Sequence, residues 1–305
     1  MPVFLFVPVV LHKTGIVSDD YQLVQLANGA QTLFSASYGE KMHPGLGPQA
    51  EAELLYVQQL RICERLEAHT GEFIIWDIGL GAAANAIAVL RSARDISSQL
   101  RIVSCDNTDE PLQFALNHST ALGYPAGYET ALAALLRERR VEFKPGKLQV
   151  NWEFHLGDFP AWLTQARGGD VPMVPAPHAI FYDAFSPAKN PAMWTLPLFK
   201  NLFQCTDPQR ACGLTTYSRS TLLRATLLMA GFFVGTGRAT GRKEETTVAA
   251  NTMELIAEPL NARWLERACR SHSAEPLKEA VYRTAPLSEA SREKLQSHPQ
   301  FHSQK

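Results

Sequence analysis

The sequence predicts an α/β protein built on a mainly parallel sheet with helices on both faces. Three observations carry that expectation. Short apolar runs alternate with segments of helical periodicity through the middle of the chain, four of the runs end in or near an aspartate, and the first leads into a small-residue turn, Gly79-Leu80-Gly81-Ala82-Ala83-Ala84. Alternation of this kind gives parallel strands joined by crossover helices. With 305 residues, 46% of them hydrophobic, the chain can bury a sizeable core.

Taken in order, Val3 to Leu11 is apolar but too short to span a membrane, contains Pro8 and has no basic leader before it, so it reads as a packed or extended N-terminal segment with no membrane role. Tyr21–Leu26 and Gln31–Phe34 flank Ala27-Asn28-Gly29-Ala30, and Asn-Gly between two short strands is a strong hairpin signal. The Gly- and Pro-rich stretch from Ser35 to Pro48, carrying Tyr38, Glu40 and His43, reads as a functional lid or a plain connection. A helix is expected from Gln49 to His69, with Ala52, Leu55, Tyr56, Leu60 and Cys63 on one face.

Phe73-Ile74-Ile75-Trp76 is the first core strand, ending at Asp77, and Leu100–Cys105 is the second, ending at Asp106. Helices are expected over 110–122 and 128–139. A strand near Leu148 to Leu156 ends at Gly157-Asp158, and His178–Tyr182 delivers Asp183, followed by a two-proline loop and a helix from about Pro191. A strand over Ala211–Tyr217 follows. Phe232–Thr236 and Thr246–Ala250 then form an antiparallel edge hairpin around Gly237 to Lys243. A helix near Ala262–Arg270 precedes a polar tail expected to lack fixed structure. The implied boundaries are 1–48 for an N-terminal segment, hairpin and lid, 49–257 for the main domain, and 258–305 for a C-terminal helix and tail.

Ligands of open α/β sheets bind outside the carboxyl ends of the strands. Asp77, Asp106, Asp158 and Asp183 are therefore expected to open onto one crevice, although each alone is also an ordinary turn residue. Gly79 and Gly81 leave room for a ligand to approach the backbone, and Asp106 is suited to a ribose diol. An acidic crevice repels a pyrophosphate and suits a cationic, hydroxyl-bearing ligand. S-adenosylmethionine, with its sulfonium, ammonium, ribose and adenine amine, meets that description better than a dinucleotide does. The five cysteines are widely spaced with no C-x-x-C pair, which argues against a metal site and for a reducing, cytoplasmic setting. Net charge is −1, so any nucleic-acid contact must come from a local patch.

Asp183-Ala184-Phe185-Ser186-Pro187-Ala188-Lys189-Asn190-Pro191, with Met193-Trp194-Thr195, resembles the signature of the MnmC-type methyltransferases. Tyr38-Gly39-Glu40, Met42-His43-Pro44, Gly47-Pro48, Glu51-Ala52 and Tyr56 resemble the family's lead-in, and Gly79-Leu80-Gly81 with Asn85 resembles its glycine-rich turn. Gly157-Asp158 and Gly241-Arg242-Lys243 match in the same order, so the likeness runs over roughly residues 30 to 255. Two positions depart: Ala83 stands where the family commonly has glycine, and Asp207-Pro208-Gln209-Arg210 where it has Pro-Gly-Gly.

The resemblance implies a Rossmann-like S-adenosylmethionine-dependent methyltransferase sheet and a reaction at the tRNA wobble position. There the aminomethyl group of 5-aminomethyl-2-thiouridine receives a methyl group. It implies Asp183 as the group that orients the amine and accepts its proton, Asp106 on the ribose and Asp158 on the adenine amine. Glu40 and Asp77 would face the methionine end, with Tyr38 and Trp194 either stacking on adenine or the target base or serving as ordinary core or lid aromatics. Gly79, Gly81 and Asn85 complete the cofactor set. Arg238, Arg242 and Lys243, on a hairpin expected to lie outside the cofactor crevice, are the preferred RNA contacts over the cluster Arg137, Arg139, Arg140, Lys144 and Lys147. Fused relatives continue into an FAD-dependent oxidase, so this shorter chain resembles the stand-alone form. Aminopropyl transfer of the spermidine synthase type and non-catalytic RNA binding are the alternatives, with a dehydrogenase third.

Overall fold

Strand β4 (Glu72–Ile78) lies centrally because both of its faces are apolar. In the computed structural model, which describes residues 20–168, 174–241 and 244–302, Phe73 and Ile75 enter one core and Ile74, Trp76 and Ile78 the other. Around it stand β5 (Gln99–Asp106), β6 (Arg140–Phe143), β7 (Gln149–Leu156), β8 (Ala179–Tyr182), β9 (Gly213–Thr216), β10 (Phe233–Gly237) and β11 (Thr246–Ala250). The eight strands run in the order β10-β11-β9-β8-β4-β5-β7-β6. The five central strands are parallel, and β11, β10 and β6 are antiparallel to their neighbours. This is the expected sheet with its edge hairpin. A separate small sheet, β1 (Tyr21–Gln25), β2 (Gln31–Ser35) and β3 (Glu40–Lys41), carries the expected N-terminal hairpin and adds the lid as a short third strand.

One face is covered by α1 (Pro48–Ala52), α2 (Ile62–Ala68), α3 (Ala84–Ser92), α4 (Glu110–Asn117), the single turn α5 (Ser119–Leu122) and α6 (Glu129–Glu138). The other is covered by α7 (Phe159–Gly168), α8 (Leu196–Gln204), α9 (Thr221–Ala230), α10 (Ala262–Arg270) and α11 (Glu289–Gln296). The helix expected over 49–69 is not continuous. A π-turn spans Glu53–Gln58, and Arg61 adopts left-handed backbone (φ 51°) before α2. An extra residue in a turn rotates the following side chains, which is how π-turns re-aim a helix face. Tyr56, inside that turn, is fully buried against Phe181 of β8.

The C-terminal part differs from the polar tail expected. Leu277, Leu287 and Leu295 are buried in the α8–α9 face, and Ser288 caps α11 by accepting from Ser291 N–H. Residues 258–260 lie along the outer side of β10, with Thr236 N–H donating to Glu258 O and Leu260 N–H to Val234 O. The Gln300 side chain, fully buried, accepts from Val234 N–H at 2.7 Å and donates to Val234 O and Leu260 O, both at 2.8 Å. The turn Asp207–Arg210, which lacks the family's glycines, is held by Asn251, whose amide donates to Asp207 O and Arg210 O.

Candidate active site

A cavity of about 440 Å³ opens at the carboxyl edge of β4, β5, β7 and β8. Concavities of this size suit ligands of cofactor dimensions. Its floor is the turn after β4. Gly79 N–H and Leu80 N–H donate to Cys105 O, and Gly81 N–H donates to Asp106 Oδ2 at 2.8 Å. Gly79 and Gly81 both have positive φ (89° and 50°), and so does Ala83 (φ 62°) at the start of α3. The glycine common at that position in the resembled family is thereby explained: an L side chain there carries a left-handed strain of about 1 kcal/mol.

Asp183 extends β8 by one residue, its N–H donating to Ile78 O. Its Oδ2 accepts from Asn85 Nδ2 at 2.8 Å, and His43 Nε2 lies 3.7 Å from the same oxygen. Asn85 Oδ1 is buried with no hydrogen-bond partner among the described residues. Gly79 packs so close that a Cβ there would sit 2.7 Å from Asp183 O and 2.9 Å from its carbonyl carbon, backbone atoms with no freedom to give way. Gly79→Ala is therefore expected to cost about 2 kcal/mol or more and to displace Asp183. Gly29→Ala is the control. Its φ is also positive (86°), but its new Cβ would meet nothing within 4 Å. Denaturant midpoints for the two variants separate the clash from the backbone strain, and equal midpoints would remove the clash from the account.

The lid closes the other wall. Glu40 accepts from both Oγ–H and N–H of Ser186, and Tyr38 stacks on Phe185 with ring centroids 4.0 Å apart. Glu51, buried at the start of α1, accepts from Gly45 N–H and Leu46 N–H and anchors the far end of the lid. Asp158 lines the cavity with its side chain exposed at the mouth, and its Oδ1 accepts from Ala161 N–H in the first turn of α7.

Of the expected site residues, Tyr38, Glu40, Gly79, Gly81, Asn85, Asp106, Asp158 and Asp183 all line this cavity. Asp77 does not. Strand alternation places it with Phe73 and Ile75, facing into the core, where it is fully buried and accepts from Ser104 Oγ–H at 2.8 Å. Desolvation pushes its carboxyl up to about 7, Ser104 opposing and Asp183 and Asp106 adding to the rise. It cannot face a ligand's methionine end. Trp194 takes the core alternative. It is fully buried among Tyr182, Phe199 and Tyr217, and its Nε1–H donates to Phe185 O, so it props the motif loop from beneath and stacks on no ligand. The edge hairpin, expected outside the crevice, reaches it: Thr240 lines the cavity beside Gly45. Arg238 is held by Gln58 and Gln59, while Arg242 and Lys243 lie outside the described residues. In the rival cluster, Arg137, Arg139 and Arg140 each pair with an acid. His43 and Glu51 were named in the sequence only as parts of the lid and its lead-in, and their contacts become visible only in three dimensions.

Burial also raises Asp106, to about 6, with the N–H groups of Gly81, Thr108 and Asn107 opposing. The Tyr56 and Tyr217 phenols are pushed well up by burial and by the Asp183 charge, so both are neutral hydroxyls. The wall is rich in acceptors: Glu40, Asp106, Asp158, Asp183 and the unpartnered Asn85 Oδ1. That chemistry fits a ligand bearing positive charge and N–H or O–H donors, as S-adenosylmethionine does. Among the described residues no group of three or more His, Cys, Asp or Glu is placed to hold a metal ion, and no helix is long and apolar enough to cross a membrane.

Comparison with known proteins agrees with this geometry. Residues 126–252 match a family of S-adenosyl-L-methionine-dependent methyltransferases. The chain is 26% identical over 230 residues to the tRNA 5-methylaminomethyl-2-thiouridine biosynthesis bifunctional protein MnmC of Aeromonas salmonicida, covering 71% of this chain and 33% of that protein. It is 28% identical over 237 residues to the protein of the same name from Methylibium petroleiphilum, covering 74% and 34%. The chain thus spans about a third of the length of these relatives. The crystal structure of MnmC2 from Aquifex aeolicus superposes with a TM-score of 0.65 at 25% identity, over 93% of this chain and 85% of that one.

Proposed function

We propose that the chain is an S-adenosyl-L-methionine-dependent methyltransferase of the MnmC type and that it methylates the aminomethyl group of 5-aminomethyl-2-thiouridine at the tRNA wobble position. The observation that carries this reading is the setting of Asp183, on the cavity wall between the glycine turn and the lid, with Oδ2 held by Asn85. A positioned carboxylate there binds and orients an amine. On this reading residues 49–257 form the catalytic unit, residues 35–48 supply the lid, 258–302 pack behind it, and the setting is cytoplasmic. Aminopropyl transfer and non-catalytic RNA binding are not favoured by the relatives' names.

When bound, S-adenosylmethionine supplies an electrophilic methyl group on sulfonium. Asp106 would take its ribose hydroxyls and Asp158, through the oxygen not used in capping α7, its adenine amine. Glu40 would neutralise the ammonium, exchanging part of its bond with Ser186. Asp183 holds the substrate amine and takes its proton, because only the neutral amine has a free lone pair. Arg238, Arg242 and Lys243 would contact RNA. Incubating the protein with bulk tRNA and isotopically labelled donor, then analysing nucleosides by mass, tests the whole reading. Label in the methylaminomethyl nucleoside supports it, and label elsewhere or nowhere rejects it.

Asp106→Ala is expected to weaken donor binding by about 1–3 kcal/mol at pH 8 through loss of charged hydrogen bonds. The carboxylate is the accepting form, and burial sets its change of charge near pH 6, so wild-type affinity should fall as pH drops below 6 while the variant's stays flat. Titration calorimetry at pH 8 and 5.5 checks both statements. Equal affinities at pH 8 would take Asp106 out of the ribose role.

A further inference from the structure

We infer that His43 is the positioning partner of Asp183, accepting from its carboxyl the proton taken off the substrate amine and releasing it to solvent. The inference rests on the proposed reading for the presence of an amine, but the link between His43 and Asp183 rests on geometry alone.

His43 occupies a backbone position that side chains rarely adopt (φ 49°), at the point where the lid turns from β3 toward Gly45. Strain of this kind persists only where the surroundings hold it, and it collects at functional sites. Here the holders are Met42 N–H donating to Leu33 O on one side, and Glu51 accepting from Gly45 and Leu46 N–H on the other. The result aims Nε2 at Asp183 Oδ2, 3.7 Å away, with 13% of the imidazole still exposed. The ring therefore stands between the half-buried carboxylate, itself 17% exposed, and the outside. A slight closing of the lid turns 3.7 Å into a hydrogen bond.

Asn85 and His43 both approach Oδ2, so an amine on Oδ1 displaces neither. The proton balance is then simple. An N–H bond of the substrate ammonium breaks, its electron pair stays on nitrogen, and the proton forms an O–H bond on Asp183. That O–H bond breaks in turn as the lone pair of His43 Nε2 takes the proton, and the imidazolium gives up its Nδ1 proton to water. Imidazole is the ordinary side chain that changes charge near neutral pH, which suits it to this task. The charged and titratable groups that share the cavity with it are Tyr38, Glu40 and Lys41 on its own loop, Tyr21 on β1, Glu51 on α1, Cys105 and Asp106 at the end of β5, Asp158 before α7, and Asp183 with Tyr217, while the Tyr56 phenol faces Asp183 from the π-turn. Among the described lining residues His43 is the only imidazole.

Two measurements test the inference. In the protein without tRNA or donor, the His43 ring signal followed by NMR should titrate with a midpoint that differs between the wild type and Asp183→Asn. In single-turnover methylation, His43→Gln should be slower by about tenfold at neutral pH, should lose the limb of the wild-type pH–rate profile nearest neutrality, and should recover part of its rate with added imidazole. An NMR midpoint indifferent to Asp183→Asn, or a His43→Gln pH profile superimposable on the wild type, overturns it. Failure of the wild type to methylate tRNA would instead reject the proposed reaction, leaving the NMR comparison to decide the His43–Asp183 link.

Discussion

Asp183→Asn should bind the methyl donor within about twofold of the wild type and lose about 100-fold or more in single-turnover methylation. The reason lies in which oxygen is already used. Oδ2 accepts from Asn85 Nδ2, and an asparagine keeps that bond only by turning its carbonyl oxygen toward Asn85. Its NH₂ group then faces the amine, where it can neither accept a proton nor receive an N–H. The backbone is unaffected, since Asp183 N–H still meets Ile78 O and Gly79 still lies beneath. Rapid-quench measurement of a single turnover isolates the chemistry from product release. An unchanged rate would make Asp183 structural and place the base elsewhere.

The second large effect is on stability. Asp77→Asn should stabilise the protein at pH 8 and do so progressively less as pH falls. Asp77 is fully buried, its Oδ1 has no hydrogen-bond partner among the described residues, and Oδ2 has only Ser104, whose hydroxyl itself accepts from Trp152 Nε1–H. The carboxyl is pushed up to about 7 in the fold from its ordinary value of 3.8. A raised carboxyl contributes stability that is fully present below the unfolded value and is lost as pH rises through the folded one. The window is therefore pH 4 to 7, and the whole gap corresponds to about 4 kcal/mol. Asparagine has no such window. Denaturant unfolding at pH 5 and pH 8 should show the advantage of the variant growing by about 3 kcal/mol between the two. A constant difference would mean that Asp77 does not titrate in that range.

Much of this architecture was legible because it is written in local pattern. The apolar runs ending at Asp106 and Asp183, the Asn28-Gly29 turn and the edge hairpin each carry their signal within a few residues. What was lost depends on contacts distant in sequence. β6 alternates exposed and half-buried positions, so its four residues carry too little apolar signal to mark a strand. The packing of residues 272–301 rests on leucines at 277, 287 and 295, too far apart to reveal a helix face. Most of the residues singled out in the sequence line one cavity, and what the sequence did not show is depth. Asp77 and Asp106 look alike in the sequence, yet Asp77 shares a face with Phe73 and Ile75 one residue before its strand ends, and the period of two turns it inward. Trp194 looked like a ligand platform because aromatic residues serve both purposes, and only its bond to Phe185 O settles which. His43 had no local signal at all, since its partner lies 140 residues away in the chain.

The two rims of the sheet are guarded by unlike means, and this bears on self-association. An open strand edge is a template on which another copy can add its own strand. β6 is protected by being four residues long and by bearing Arg140 and Glu142, paired with each other at the surface. β10 has no such charges. Its sequence, Phe233-Val234-Gly235-Thr236-Gly237, is apolar and small, and what occupies its outer side is residues 258–260 and the amide of Gln300. The amide occupies Val234's outward N–H and C=O together, as a neighbouring strand would. A fragment cut after residue 257 would keep every residue of the catalytic cavity while uncovering that rim. Such a fragment should form intermolecular β-structure on concentration, an outcome set by the covering segment and independent of the chemistry in the cleft.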